Sequence, residues 1–133
     1  MESWFSHGVA VAASWRLQDG RALVSVTDHP TLDAAATHVV SLGSRRPVLV
    51  GASLLEHNVW ARVRTEKATG TTRIVVTELS RMLASSELVH DGGAFLGDQV
   101  LAVRTSPSAD GLRLRSTARA DAIKAAVWAA SAT

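Results

Sequence analysis

Apolar residues recur at two periods along this chain, every second position in some stretches and every third or fourth in others. Gly8 to Leu17 runs small and β-branched residues together, and Ala22, Leu23, Val24, Ser25 and Val26 form a matching run. Asp19-Gly20 stands between them. Both residues tolerate the positive φ of a tight hairpin turn, so the two runs are predicted as antiparallel strands. Asp28-His29-Pro30 interrupts the sheet. Thr31 is placed to cap a helix with Asp33 in its first turn. Leu32, Ala35, Ala36, Val39 and Val40 repeat at helical spacing, and Gly43 suits a left-handed stop. Val48-Leu49-Val50 has the unbroken apolar character of a strand covered on both faces.

Ser53 to Val63 fits two periods. Ser53 with Glu56 has capping-box spacing, which favours a helix, whereas Val59 to Arg64 alternates like a strand; the helix is the preferred reading. Ala68 to Thr72 reads as a loop around Gly70. Ile74-Val75-Val76 is β-branched and reads as a strand, with Thr77 capping a following helix whose Leu79, Met82 and Leu83 face inward. His90-Asp91-Gly92-Gly93 reads as a turn. Ala94 to Val103 reads as a helix with Phe95, Leu96, Gln99, Val100 and Val103 along one side, and Thr105 to Gly111 as a loop. Leu112 and Leu114 alternate with Arg113 and Arg115 as a short strand. Ser116 or Thr117 then caps an alanine-rich closing helix that contains no glycine or proline. Alternating helices and strands after an opening antiparallel hairpin predict an α/β fold, a mixed sheet with helices on its faces.

The 133 residues suffice for one domain, 1–133, with a sizeable core. At 47% apolar the chain is not of the disordered class. Its apolar runs, such as Val48 to Val50 and Ala125 to Ala130, are too short to span a bilayer, so no membrane partner is expected. Met1 to His7 lacks the basic flank of a signal peptide. Cysteine is absent, which excludes a disulfide framework and thiolate metal sites and makes a cytoplasmic location the simple expectation. Twelve of the fourteen basic residues are arginine, the side chain that grips phosphate with two donors. They are spread along the chain and offset by twelve acids, so the net charge of +2 says little about nucleic acid.

Familiar catalytic motifs are missing. There is no Gly-x-x-x-x-Gly-Lys phosphate loop and no Gly-x-Ser-x-Gly elbow, and the five histidines show no pair at metal-ligand spacing. The polar residue that stands out is Asp121, a lone acid heading the closing helix, with Lys124, Ala125 and Trp128 on its face. One role for it is to complement the helix dipole; another is to hold a metal. Arg113, Arg115 and Arg119 lie close by in sequence, either as phosphate contacts or as a solvated strand face.

With those elements placed, the chain resembles the C-terminal nuclease domain of the phage terminase large subunit, the packaging motor of tailed phages. Three stretches carry the likeness: Val9 to Val26 followed by a helix and Val48 to Val50; Leu88-Val89-His90 with Gly92, Leu96 and Gln99; and Gly111 to Ala126 with Asp121 heading the last helix. The resemblance implies a ribonuclease H-like mixed sheet. It also implies a DNA endonuclease in which two Mg²⁺ or Mn²⁺ ions about 3.5–4 Å apart are held by acids from separate strands and one helix. On this pattern Asp121 is the last metal ligand and a catalytic acid, Arg113, Arg115 and Arg119 are the DNA-binding candidates, and the partners are double-stranded DNA and other packaging proteins in the host cytoplasm.

Two positions depart from the pattern. The first acid is expected near Ala12, yet no residue from Gly8 to Gln18 is acidic. The middle acid is expected after Val48 to Val50, where Gly51 stands; Glu56, five residues on, is the substitute metal ligand. One carboxylate in place of three would hold a metal pair poorly, because these hard cations need several oxygens. Two functions are therefore expected in competition. One is a metal-dependent endonuclease domain of a packaging terminase, with a second chain completing the acids. The other is a catalytically inactive ribonuclease H-like module that binds a partner protein or DNA.

Overall fold

A computed structural model describes residues 1–3, 8–57, 60, 63–69, 72–109, 111–114 and 119–133, with residues 2–3, 72–74, 108 and 111–114 described as backbone alone. Strand β1 (Glu2–Ser3) runs antiparallel to β2 (Val9–Arg16). β2 pairs along its whole length with β3 (Ala22–His29), from Val9 opposite His29 to Arg16 opposite Ala22. Helix α1 (Leu32–Leu42) follows, then β4 (Val48–Val50), a 3-10 turn at Ala52–Leu54 and β5 (Thr65–Lys67). Next come α2 (Thr72–Ala84), β6 (Leu88–His90), α3 (Ala94–Ala102), β7 (Thr105–Ser108), β8 (Gly111–Leu114) and α4 (Asp121–Ala132). The main sheet has the order β1-β2-β3-β6, with β6 parallel to β3 and the rest antiparallel, so it is mixed. β4 and β5 pair in parallel, and β7 and β8 antiparallel.

The period of two in β2 and β3 sorts their side chains onto two cores. Val9 and Val11 join Ala35, Ala36 and Val39 of α1, with Val50, Leu54 and Trp60, in one buried cluster. Ala10, Ala22, Val24 and Val26 face the other way and pack with α2, α3 and α4. Small residues decide how closely α4 approaches. Ala122, Ala125 and Ala126 are at most 1% exposed, and α4 lies directly on β2 and β3. Thr31 caps α1, its Oγ1 accepting from the Ala34 amide at 3.1 Å, and Gly43 ends it at φ 61°.

Several sequence expectations are corrected. Ile74 to Val76 is not a strand and Thr77 is not a cap: both lie inside the single helix α2. Val75, Val76, Leu79 and Met82 sit at helical spacing and are all buried, and that continuous stripe outweighs β-branched propensity. Leu83, expected inward, is exposed. Ser53 caps no helix; the chain makes only the short 3-10 turn, begun at Gly51 without a side-chain cap. Residues 58, 59, 61 and 62 of that stretch lie outside the described residues. β5 falls on residues to which the sequence reading gave no element, and β7 falls where the loop Thr105 to Gly111 was expected. β7 carries Pro107 and pairs with one neighbour, the edge position that proline tolerates. The closing helix starts at Asp121, after Ser116 and Thr117, which lie outside the described residues. Among the described residues no helix is long and apolar enough to cross a membrane.

Candidate functional site

The polar cluster sits where β3 leaves the sheet. Ala22, Val24, Val26 and Asp28 share one parity, so Asp28 points to the same side of the sheet as the buried valines, in register with Ala10. Gly8 precedes β2 at φ +141°, a conformation L side chains rarely adopt. A Cβ there would stand 2.8 Å from Asp28 Oδ1 and 3.3 Å from Arg119 Nη2, so glycine lets those two groups close over the strand.

Asp121 lies on the first turn of α4 and is 0% exposed. Both of its oxygens accept hydrogen bonds. Arg119 Nη2 donates to Oδ2 at 2.7 Å, Arg119 Nε to Oδ1 at 3.2 Å, and Gln99 Nε2 to Oδ1 at 2.9 Å. The same guanidinium donates to Asp28 through Nη1 and Nη2, each at 3.1 Å, and its Cζ stands 4.9 Å from the centre of the Phe95 ring. The hydrogen bonds that Arg119 donates to Asp121 first, and to Asp28 second, raise its pKa above the ordinary value. Gln99 also accepts from the Ala122 amide through Oε1 at 3.0 Å. It therefore satisfies one orphan donor of α4 from a neighbouring helix, in place of the local hydroxyl cap that the sequence suggested. An open cleft of about 290 Å³ lies against Asp28, Phe95, Asp98, Gln99, Ala102 and Arg119.

The expected site residues are brought together only in part. Arg119 meets Asp121 but spends its donors on carboxylates, leaving fewer for a phosphate. Glu56 is exposed in the turn after Ala52–Leu54. Leu54 belongs to the α1-side core, whereas Asp121 heads the helix on the opposite face. Arg113 is described as backbone in β8, and Arg115 lies outside the described residues. Ala12 stands opposite Val26 on the α4 side, and Gly51 is buried. Asp28 lies on the partner strand of the hairpin, two residues beyond Val26, the partner of Ala12. Sequence reading missed it by assigning Asp28 to the break before Pro30. Its parity with Val24 and Val26 was the available signal.

These residues do not fit a divalent metal pair. Two such ions call for several carboxylates with free oxygens. Asp121 has neither of its oxygens unengaged, and among the described residues no three acids or histidines cluster closely enough to hold an ion.

In fold the chain is similar to phage large terminase nuclease domains. The nuclease domain of Thermus phage P74-26 is similar, with a TM-score of 0.57 and 11% identity over 92% of this chain and 78% of that one. The large terminase nuclease of thermophilic phage G20c gives 0.57 and 11% over 98% and 85%. The same G20c nuclease with bound magnesium gives 0.54 and 12% over 98% and 84%. No protein-family model and no curated protein matches the chain.

Proposed function

We propose that this chain is a ribonuclease H-like module of the terminase-nuclease kind, one domain over residues 1–133, that docks on DNA or a packaging protein rather than cutting DNA. One observation carries the reading: the cation on Asp121 is Arg119. Its guanidinium bridges Asp121 and Asp28, and Gln99 donates to Asp121 Oδ1. The competing reading, a Mg²⁺- or Mn²⁺-dependent endonuclease, is favoured by the magnesium-bound G20c neighbour. It requires Asp121 to give up Arg119 and a completing chain to supply further acids.

Two measurements separate these readings: nicking of supercoiled plasmid in Mn²⁺, and the effect of Mn²⁺ on thermal unfolding. The wild type is expected to leave plasmid intact and to unfold at a Tm indifferent to Mn²⁺. Arg119→Ala strands a buried carboxyl and is expected to lose about 3–5 kcal/mol of stability. With Asp28 and Asp121 left facing one another, it is the variant whose Tm rises with Mn²⁺, because an ion bound to the folded state alone stabilises it. Nicking by the wild type that disappears in Asp121→Asn would overturn the proposal in favour of the endonuclease.

A further inference from the structure

Asp28 and His29 are consecutive in β3, so they point to opposite sides of the sheet. Asp28 faces the α4 side. His29 faces α1, as do its cross-strand partner Val9 and the neighbouring pair of Val11 and Thr27. Val9 and Val11 are buried there with Ala35, Ala36 and Val39 of α1. His38 follows Ala35 by three residues, which brings it over the end of β3 on the flank of that core. The two imidazoles meet at this margin, their ring centres 4.8 Å apart and their planes inclined by 34°. Both residues are half-buried. Sequence spacing showed no histidine pair fit for a metal; laying a helix on a strand makes one.

Neither ring forms an ion pair with an acid among the described residues. His29 Nε2 stands 2.9 Å from Thr27 Oγ1, and that hydroxyl donates its proton to the Val11 carbonyl at 3.5 Å. Thr27 therefore offers His29 a lone pair, and Nε2–H donates to it. This tautomer leaves Nδ1 of His29 with a lone pair of its own. Among the described residues no group donates to that nitrogen or to the His38 ring. Burial, and next the neighbouring His38, keep the His29 pKa below 6.5, so at neutral pH the ring is uncharged and the lone pair is free.

We infer that His29 and His38 form a binding site for a divalent ion of the zinc class, held by one nitrogen of each ring with water in the remaining positions. The spacing suits this. With metal–nitrogen bonds of about 2.0–2.1 Å and ring centres about 1.2 Å further out, two imidazoles at a tetrahedral angle stand about 5 Å apart. The observed 4.8 Å leaves only a few tenths of an ångström to adjust. Imidazole nitrogen selects Zn²⁺, Ni²⁺ and Cu²⁺, whereas Mg²⁺ and Mn²⁺ prefer oxygen. Thr27 makes the bond to the other ring nitrogen that orients a ligating histidine. Two ligands hold the ion weakly, so it binds when supplied and is stripped by a chelator. Because they come from β3 and α1, the ion fastens helix to strand. The site lies across the sheet from Asp28, Arg119 and Asp121, so the inference stands whether or not that cluster cuts DNA.

The test titrates Zn²⁺ into the full chain, freed of metal by EDTA and dialysis, and follows the imidazole C–H signals by NMR. The expected result is saturable change at His29 and His38 with one ion per chain, none with Mg²⁺ at the same concentration, and a Tm that rises with occupancy. His29→Gln and His38→Gln should each weaken binding at least about tenfold. His57→Gln, at an exposed position, should leave it unchanged. Bound Cu²⁺ should show electron paramagnetic resonance splitting from two nitrogens. That readout needs no variant, so the test holds even if a substituted chain does not fold. Absence of saturable change at the two rings overturns the inference, as does full affinity in both ring variants. Splitting from a single nitrogen also overturns it, by marking a lone surface imidazole. Half an ion per chain with a zinc-dependent dimer overturns the single-chain site in favour of four histidines shared between two copies.

Discussion

Asp121, Arg119, Asp28 and Gln99 each hold the others in place, so single substitutions propagate. Gly8→Ala is expected to act on this cluster without touching a charge. Its φ of +141° strains any Cβ, and that atom would press on Asp28 Oδ1 and on the His29 carbonyl, 3.0 Å away. A loss of about 1–3 kcal/mol in urea unfolding is expected, with perturbed Arg119 Nε resonances as the sign that the carboxylate contact has moved. His29 sets a separate pH response. Its ring lies 2.9 Å from Thr27 Oγ1 and 4.8 Å, centre to centre, from the His38 ring. Burial first, and repulsion from His38 second, hold its pKa below the ordinary 6.5. The unfolded chain therefore takes up this proton at higher pH than the folded one, so the contribution is complete above pH 6.5 and is lost as pH falls through the lower folded value. Thermal unfolding between pH 7 and pH 5 should show a falling Tm that His29→Gln flattens.

At the scale of elements, α4 is the piece on which the polar cluster depends. Its first turn carries Asp121, its later turns carry Trp128 and Ala129, and alanines between them let it lie on β2 and β3. Ala126→Leu puts a large side chain where the exposure is 0%. It is expected to cost about 1–3 kcal/mol by overpacking, measurable as a lower urea midpoint with an unchanged slope. The elements differ in how well the chain announces them. α1 was legible because Thr31, Asp33 and Gly43 bracket a clear helical stripe, and all three act as local chemistry directs. The runs around Asp19-Gly20 were legible for a similar reason. α2 was not, because Ile74-Val75-Val76 favours a strand locally and only burial in the core shared with α4 and β8 makes it helical. β7 was missed because Ser106 and Pro107 look like loop until β8 pairs with them.

For the whole molecule, the proposed module should not depend on a metal for its stability. EDTA is expected to leave the Tm of the wild type unchanged; a drop would reveal a resident ion. By itself the sequence determined the mixed α/β class, most strand and helix positions, the lone acid at the head of the last helix, and the absence of acids from Gly8 to Gln18 and at Gly51. Those features are written in local periodicity, capping and residue identity, which act over a few neighbours. Tertiary structure alone decided that Arg119 bridges Asp121 and Asp28, the latter 91 residues away from it, and that Gln99 caps a helix 23 residues away. Each of these depends on which faces meet when the sheet closes over its helices, and sequence spacing carries no record of that distance.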